Sequence, residues 1–257
     1  MNSTETVSPR ARTAPTKSKP ARMVNGLAGG VAALGLIAGI SGCTTNPYTG
    51  QSQLAAYDDS QLSQMSATAW TELKAETPVI RSGPEYARVM RVWTRVAAAT
   101  PKAGESWDVA VFDSPEVNAF VMPGNRVGVY TGLLDIMEND DQLAAVLGHE
   151  VGHAIYRHAN QRATRSAIAS AGVQLGTAVL TNSSSTAAQY GNQIGALGGA
   201  AAQLGVVLPY SRDAELEADL AGVDYMVGAG YNPRQAIRLW EVMEAKAGNA
   251  RTAEFMS

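Results

Sequence analysis

The stretch His149-Glu150-Val151-Gly152-His153 constrains this chain more than any other, because its spacing has chemical meaning only on a helix. Positions four apart lie about 40° apart round a helix and about 6 Å along it, so both imidazoles can reach one metal ion. Glu150 falls about 100° round from His149, where its carboxylate reaches a water beside that ion without being forced to ligate. The flanks agree. Asn139, Asp140 and Asp141 supply a cap and negative charge at the start of such a helix. Leu143, Leu147, Val151 and Ile155 form one apolar stripe, and Gln142, Val146, His149 and His153 form another. A helix covered on both faces is therefore expected from Asn139 to about Arg162.

Catalytic zinc takes three protein ligands and a water, so two histidines leave the site one ligand short. His158 is the third and last histidine of the chain. On a continuous helix it lies about 180° from His149 and points away. A carboxylate from another helix is the remaining source, and Tyr210-Ser211-Arg212-Asp213-Ala214-Glu215-Leu216-Glu217-Ala218-Asp219 offers one. Glu215 and Asp219 share a face, so Glu215 can ligate while Asp219 accepts a hydrogen bond from a ligand histidine's other nitrogen. Glu217 turns to the opposite side, where a change to Ala is expected to alter stability by no more than about 0.5 kcal/mol. The alternative is that all three acids form a solvated helix face.

Around this centre the chain reads as mostly helix with a small sheet. Helices are expected over 58–76 and 84–99, and three strands over 107–113, 117–122 and 126–130, the last two joined by a turn at Pro123-Gly124-Asn125. Helix resumes at Ser211, and a last one begins at Asn232-Pro233. Between them lie Ala- and Gly-rich stretches at 167–180 and 191–207, flanking a polar loop at 181–190 that either covers a cleft or is simply solvated. Each of those stretches contains Gln or Thr and falls short of a clean membrane span; whether 167–207 touches a bilayer stays open. The stretch 44–53 is polar, and Pro47 and Gly50 argue against a regular element there.

The first 42 residues have a different character. Residues 1–22 hold five basic residues and one acid, and 23–42 hold no charge. That is the order of a secretory signal. The run Ile40-Ser41-Gly42-Cys43 resembles a bacterial lipobox, which implies cleavage before Cys43, the only cysteine, and its acylation. The alternative is a buried free thiol. Thr44 in place of an Asp leans towards the outer membrane, facing the periplasm. The expected organisation is a signal peptide at 1–42, a lipidated N-terminus and linker at 43–57, and one domain at 58–250. From residue 43 onward the chain carries 15 basic and 22 acidic residues, net −7, which argues against nucleic-acid binding.

With these residues on the page, the chain resembles the HtpX-like zinc endopeptidases, a family that includes the CAAX prenyl proteases and the mitochondrial OMA-type proteases. The resemblance rests on NPYTGQSQL, NAFVMPGNRVGVYTGLL, LGHEVGH, SRDAELEAD and GYNP, spread over 45–245. It implies an α+β, zincin-like (gluzincin) domain with a three-stranded sheet, and one Zn2+ per chain held by His149, His153 and Glu215. Glu150 is then the general base and Asp219 the partner of a ligand histidine. The lipobox makes the chain look most like the bacterial lipoprotein branch, whose members act in envelope-protein quality control, so the implied substrates are unfolded or misassembled polypeptides. Some relatives contribute a later histidine that has no counterpart here, which leaves Arg212, Tyr210 and Tyr231 as candidate stabilisers of the transition state. Substrate is expected to add a strand along Asn118, Ala119 and Phe120; that segment could equally be a buried hairpin arm. The rival reading is a lipid-anchored, chaperone-like scaffold whose zinc is structural or whose site is self-inhibited.

Overall fold

A computed structural model describes residues 43–181 and 210–247; the side chains of 171–181 and 244–247 are outside that description. The expected signal at 1–42, the loop from 182 and the stretch 191–207 therefore lie outside the described residues. In chain order the elements are β1 (Cys43–Thr45), β2 (Ser52–Leu54), α1 (Asp59–Glu76), β3 (Val79–Ile80), α2 (Pro84–Ala98), β4 (Asp108–Phe112), β5 (Ala119–Met122), β6 (Arg126–Tyr130), α3 (Thr131–Ile136), α4 (Asp140–Ile155), α5 (His158–Thr181), α6 (Arg212–Gly228) and α7 (Arg234–Ala247). Among the described residues no helix is long and apolar enough to cross a membrane.

The main sheet has four strands, not three, in the order β3-β4-β6-β5. The strand absent from the sequence reading is β3, two residues that pair Val79 with Phe112 and Ile80 with Val111. So short an element has no periodicity of its own and exists only through its partner. β4 and β6 run parallel, and β5 pairs antiparallel with β6, leaving β5 at the edge as the sequence suggested. Alternation sorts the side chains cleanly. Val111, Ala119, Val127 and Val129 face α2 and α4, whereas Ala110, Phe112, Phe120 and Tyr130 pack with Trp70 of α1. Phe120 and Phe112 lie 5.7 to 6.3 Å from one another and from Trp70, in edge and stacked arrangements, which adds to the burial.

A second correction concerns 43–54. The stretch is a hairpin in which Cys43 pairs with Leu54 and Thr45 with Ser52. Pro47 and Gly50 fall in its turn rather than in a strand, Gly50 supplying the positive φ of 72°. Asn46 organises that turn by accepting hydrogen bonds from the Tyr48 and Thr49 amides.

α4 is the central helix. Asn139 caps it by accepting from the Gln142 amide, and the Gln142 side chain in turn accepts from the Glu138 amide. Asp140 at its first turn pairs with Arg88 and Arg91 of α2. Every residue from Gln142 to Ile155 except Ala154 is buried. One side of α4 meets the sheet and α2. The other meets α6, across a seam of residues without bulk: Gly148 and Gly152 against Ala218 and Gly222.

A Cβ placed on Gly148 would stand 2.7 Å from the carbonyl oxygen of Gly222, and one on Gly222 would stand 2.8 Å from the His149 amide nitrogen. Neither neighbour can swing aside, because both are backbone. Gly148→Ala is therefore expected to destabilise the fold by about 1–3 kcal/mol, the usual cost of overpacking, although Ala outranks Gly by roughly 1 kcal/mol in helix propensity. A urea unfolding midpoint at or above that of the parent chain would show that the seam has slack.

Candidate metal centre

The C-terminal end of α4 sets the geometry of the site. A single helix through Arg162 is not what forms: α4 stops at Ile155, Arg157 adopts φ of 60°, and α5 starts at His158. A left-handed residue other than Gly costs on the order of 1–3 kcal/mol and needs support from its surroundings. Support comes from far along the chain. Asn46 Nδ2 donates to the Ile155 carbonyl and Gln53 Nε2 to the Tyr156 carbonyl, both at 2.7 Å. The Arg157 guanidinium pairs with Asp59, and Asn160 Nδ2 donates to the Tyr57 carbonyl. The hairpin thus caps the helix that carries the histidines.

His149 and His153 present their Nε2 atoms to one another at 2.9 Å, and the Glu215 carboxylate stands 3.5 Å from the first and 3.8 Å from the second. Three ligands on a tetrahedral ion, each about 2.0–2.2 Å from it, lie about 3.3 Å apart. The observed spacings bracket that value. The donor set of two imidazoles and one carboxylate also suits such an ion, and this group could hold a metal. His149 and His153 are buried, and Glu215 is four-fifths covered. Burial disfavours a charge on His149, but its bonds to Asp219 and Glu215 and the charge of Glu150 outweigh that and raise its pKa. Burial, reinforced by the neighbouring His149, His158 and Arg162, holds His153 low.

Asp219 sits as expected, its Oδ1 2.8 Å from His149 Nδ1. His158 and Glu217 do not. Because the helix breaks, His158 folds back and places its Nδ1 2.8 Å from His153 Nδ1, with its Nε2 3.1 Å from Glu217 Oε2. His158 is fully buried, and Glu217 is about two-thirds covered and accepts from Gln51 Nε2 of the hairpin. Glu217 is therefore not the detached surface acid that helix geometry alone suggested. Glu217 stays out of the metal-capable group, on the far side of the helix from Glu215; what that reading lacked was the position of His158.

Glu150 is buried, and burial raises its pKa to about 7, with the Glu215 charge in the same direction and His149, the Val121 amide and Arg162 opposing. Its Oε2 accepts from the Val121 amide at 3.1 Å. That bond fixes which backbone groups of β5 look outward. The Tyr130 amide donates to the Asn118 carbonyl, so Asn118 and, by alternation, Phe120 are committed to β6. Ala119 and Val121 face the open edge. Of the three edge residues expected from sequence, only Ala119 turns its backbone away from β6, and it is buried; Val121, half-buried, does the same with its amide bonded to Glu150.

Tyr210 lies in the site, its ring stacked on that of His153 at 4.2 Å, and burial pushes its pKa to about 12. Tyr231 does not: it packs under Arg95 near the start of α4, next to Asn232, whose amide donates to Asp141. Arg212 is exposed in the first turn of α6. Among the described residues a cation faces the site in Arg162, 4.2 Å over the Tyr210 ring, and its charge reaches Glu150 and His153. It lies four residues after His158, so dismissing His158 from the site dismissed Arg162 with it. A cavity of about 280 Å³ opens between His153, Tyr210, Tyr48 and the Val121–Pro123 end of β5. Cys43 is exposed at the start of β1.

Residues 85–257 match the model of peptidase family M48. Among curated proteins, the chain is 35% identical over 165 residues to the mitochondrial metalloendopeptidase OMA1 of Schizosaccharomyces pombe, covering 64% of this chain and 46% of that one. It is 30% identical over 226 residues to the mitochondrial metalloendopeptidase OMA1 of Bos taurus, covering 82% and 42%. With the metalloprotease LoiP of Escherichia coli the identity is 31% over 135 residues, covering 49% and 52%. The matches span about half the length of these relatives or less.

Asn46→Ala removes the donor that satisfies the Ile155 carbonyl and the acceptor that closes the hairpin turn. The expected loss is about 1–3 kcal/mol, the penalty for an unpaired buried polar group, read from thermal or urea unfolding. Unaltered stability would mean that the hairpin does not support the end of α4.

Proposed function

We propose, from the premise that this chain belongs to peptidase family M48, that it is a zinc-dependent endopeptidase acting on unfolded or misassembled envelope proteins. The observation that carries this reading is the convergence of four groups. His149, His153 and Glu215 point at one position, and Glu150 is held between them and the open edge of β5 by its bond to the Val121 amide. An extended peptide laid along the β5 edge beside Val121 would run past Glu150, and the cavity beside His153 would take one of its side chains. Backbone pairing recognises a main chain rather than a sequence, which suits a substrate that has lost its fold.

His149, His153 and Glu215 would hold the ion, one Zn2+ per chain. When bound, zinc supplies a Lewis acid that polarises the scissile carbonyl and favours deprotonation of water near neutral pH. Glu150 takes the proton from the attacking water and returns it to the leaving amine. Asp219 keeps the His149 proton on Nδ1 and its Nε2 bare. Tyr210 and Arg162 are the groups placed to meet charge developing on the carbonyl oxygen.

Glu150→Gln is expected to abolish digestion of an unfolded protein such as casein while one zinc per chain stays bound, and Glu215→Ala to lose both. Turnover by Glu150→Gln at the parent rate would remove it as the base. Digestion absent in the parent chain but zinc retained would favour the scaffold reading.

The proposal includes the address. Residues 1–42 serve as a lipoprotein signal, Cys43 is acylated, and the domain over 58–250 is held at the outer membrane on its periplasmic side. The uncharged segment before Cys43 and its exposure at the start of β1 support this. Mass spectrometry of the membrane fraction should find Cys43 as a modified N-terminus. An unmodified Cys43 with 23–42 still attached would identify a retained signal anchor instead.

A further inference from the structure

Resting on the metal set proposed above, we infer that His158 and Glu217 form a relay that fixes the tautomer of His153, so that both are positioning residues for the metal. Each imidazole nitrogen either carries a proton or offers a lone pair. If His153 turns a bare Nε2 towards the ion, its proton is on Nδ1, 2.8 Å from His158 Nδ1. That atom of His158 must then be bare, which places the His158 proton on Nε2, 3.1 Å from Glu217 Oε2. Ionised Glu217 can only accept, so one arrangement of protons satisfies the whole series.

The role of Glu217 follows from its removal. Without an acceptor at Nε2, neutral His158 is free to carry its proton on Nδ1. Two N–H groups would then face each other at the His153 contact, and relief would come from moving the His153 proton onto the nitrogen that should meet the metal. Asp219 performs the same task on His149 directly. α6 therefore supplies three carboxylates of different reach: Glu215 towards the ion, Asp219 to one histidine, and Glu217 to the other through His158. Gln51 of the hairpin approaches the second Glu217 oxygen at 3.5 Å.

The test is zinc titration of the metal-free full chain against a competing chelator at fixed pH, with the melting temperature of the metal-free form measured in parallel. Glu217→Leu should weaken zinc binding by about 10-fold or more, within the range for removing an outer partner of a ligand. Glu217→Gln, which keeps shape and an acceptor but loses the charge, should weaken it about threefold. Asp213→Ala, an exposed acid of the same helix, should leave it unchanged. His158→Leu combined with Glu217→Leu should bind no more weakly than His158→Leu alone, because both changes break one series of bonds. A structural ion pair would instead lower the melting temperature and leave zinc affinity at the parent value, and that result overturns the relay. If Glu217→Leu does not fold, parent affinity in Glu217→Gln overturns it equally. Failure of the parent chain to bind zinc, or parent affinity in Glu215→Ala, would instead overturn the metal set itself.

Discussion

The site depends on how closely α4 and α6 approach. Gly148, Gly152 and Gly222, with Ala218 between them, leave the two helices in backbone contact. At that distance a side chain as short as Asp219 reaches His149, and Glu215 reaches both Nε2 atoms. Metal and catalytic geometries tolerate errors of only about 0.5 Å. A methyl group in the seam would exceed that tolerance. The glycines thus contribute little buried area and a great deal of position, and one of them, Gly152, sits between Glu150 and His153 in the motif itself.

A second constraint acts where the same helix ends. The left-handed turn at Arg157 is unfavourable alone and persists because Asn46, Gln53, Asp59 and Asn160 engage the backbone and side chains around it. What the turn achieves is reversal: His158 comes back beside His153 instead of continuing outward, and Arg162 follows it towards Tyr210. The run from Asn46 to Gln53 is therefore part of the machinery. Its residues touch the Ile155 and Tyr156 carbonyls and Glu217.

Local signals carried the sequence reading wherever local forces decide the structure. The Asn139 cap and the 3.6-residue periodicity of α4 were visible, as were the alternation of β4 to β6 and the turn at Gly124-Asn125, where both residues take positive φ. The facing of Glu215 and Asp219 was also legible, since it is a matter of helical register. What escaped was fixed by partners distant in sequence. β3 exists only against β4. The hairpin at 43–54 brackets its turn residues with strands too short to alternate. Nothing in Tyr156-Arg157-His158 marks a helix end, because neither Gly nor Pro is present and the stabilising donors lie about a hundred residues away. That one miss displaced His158, Glu217 and Arg162 together.

The hairpin also bears on reach. Cys43 is locked in register opposite Leu54, and Asn46, whose side chain holds the end of α4, follows only three positions later. Three extended residues cover about 10 Å. A lipid on Cys43, as proposed, would thus be fastened to the catalytic helix by a short strut rather than a tether. The cleft would ride at a fixed height above the bilayer, unable to sweep the surrounding space. Polypeptides would have to come to it, and those lying along or emerging from the membrane surface would arrive first.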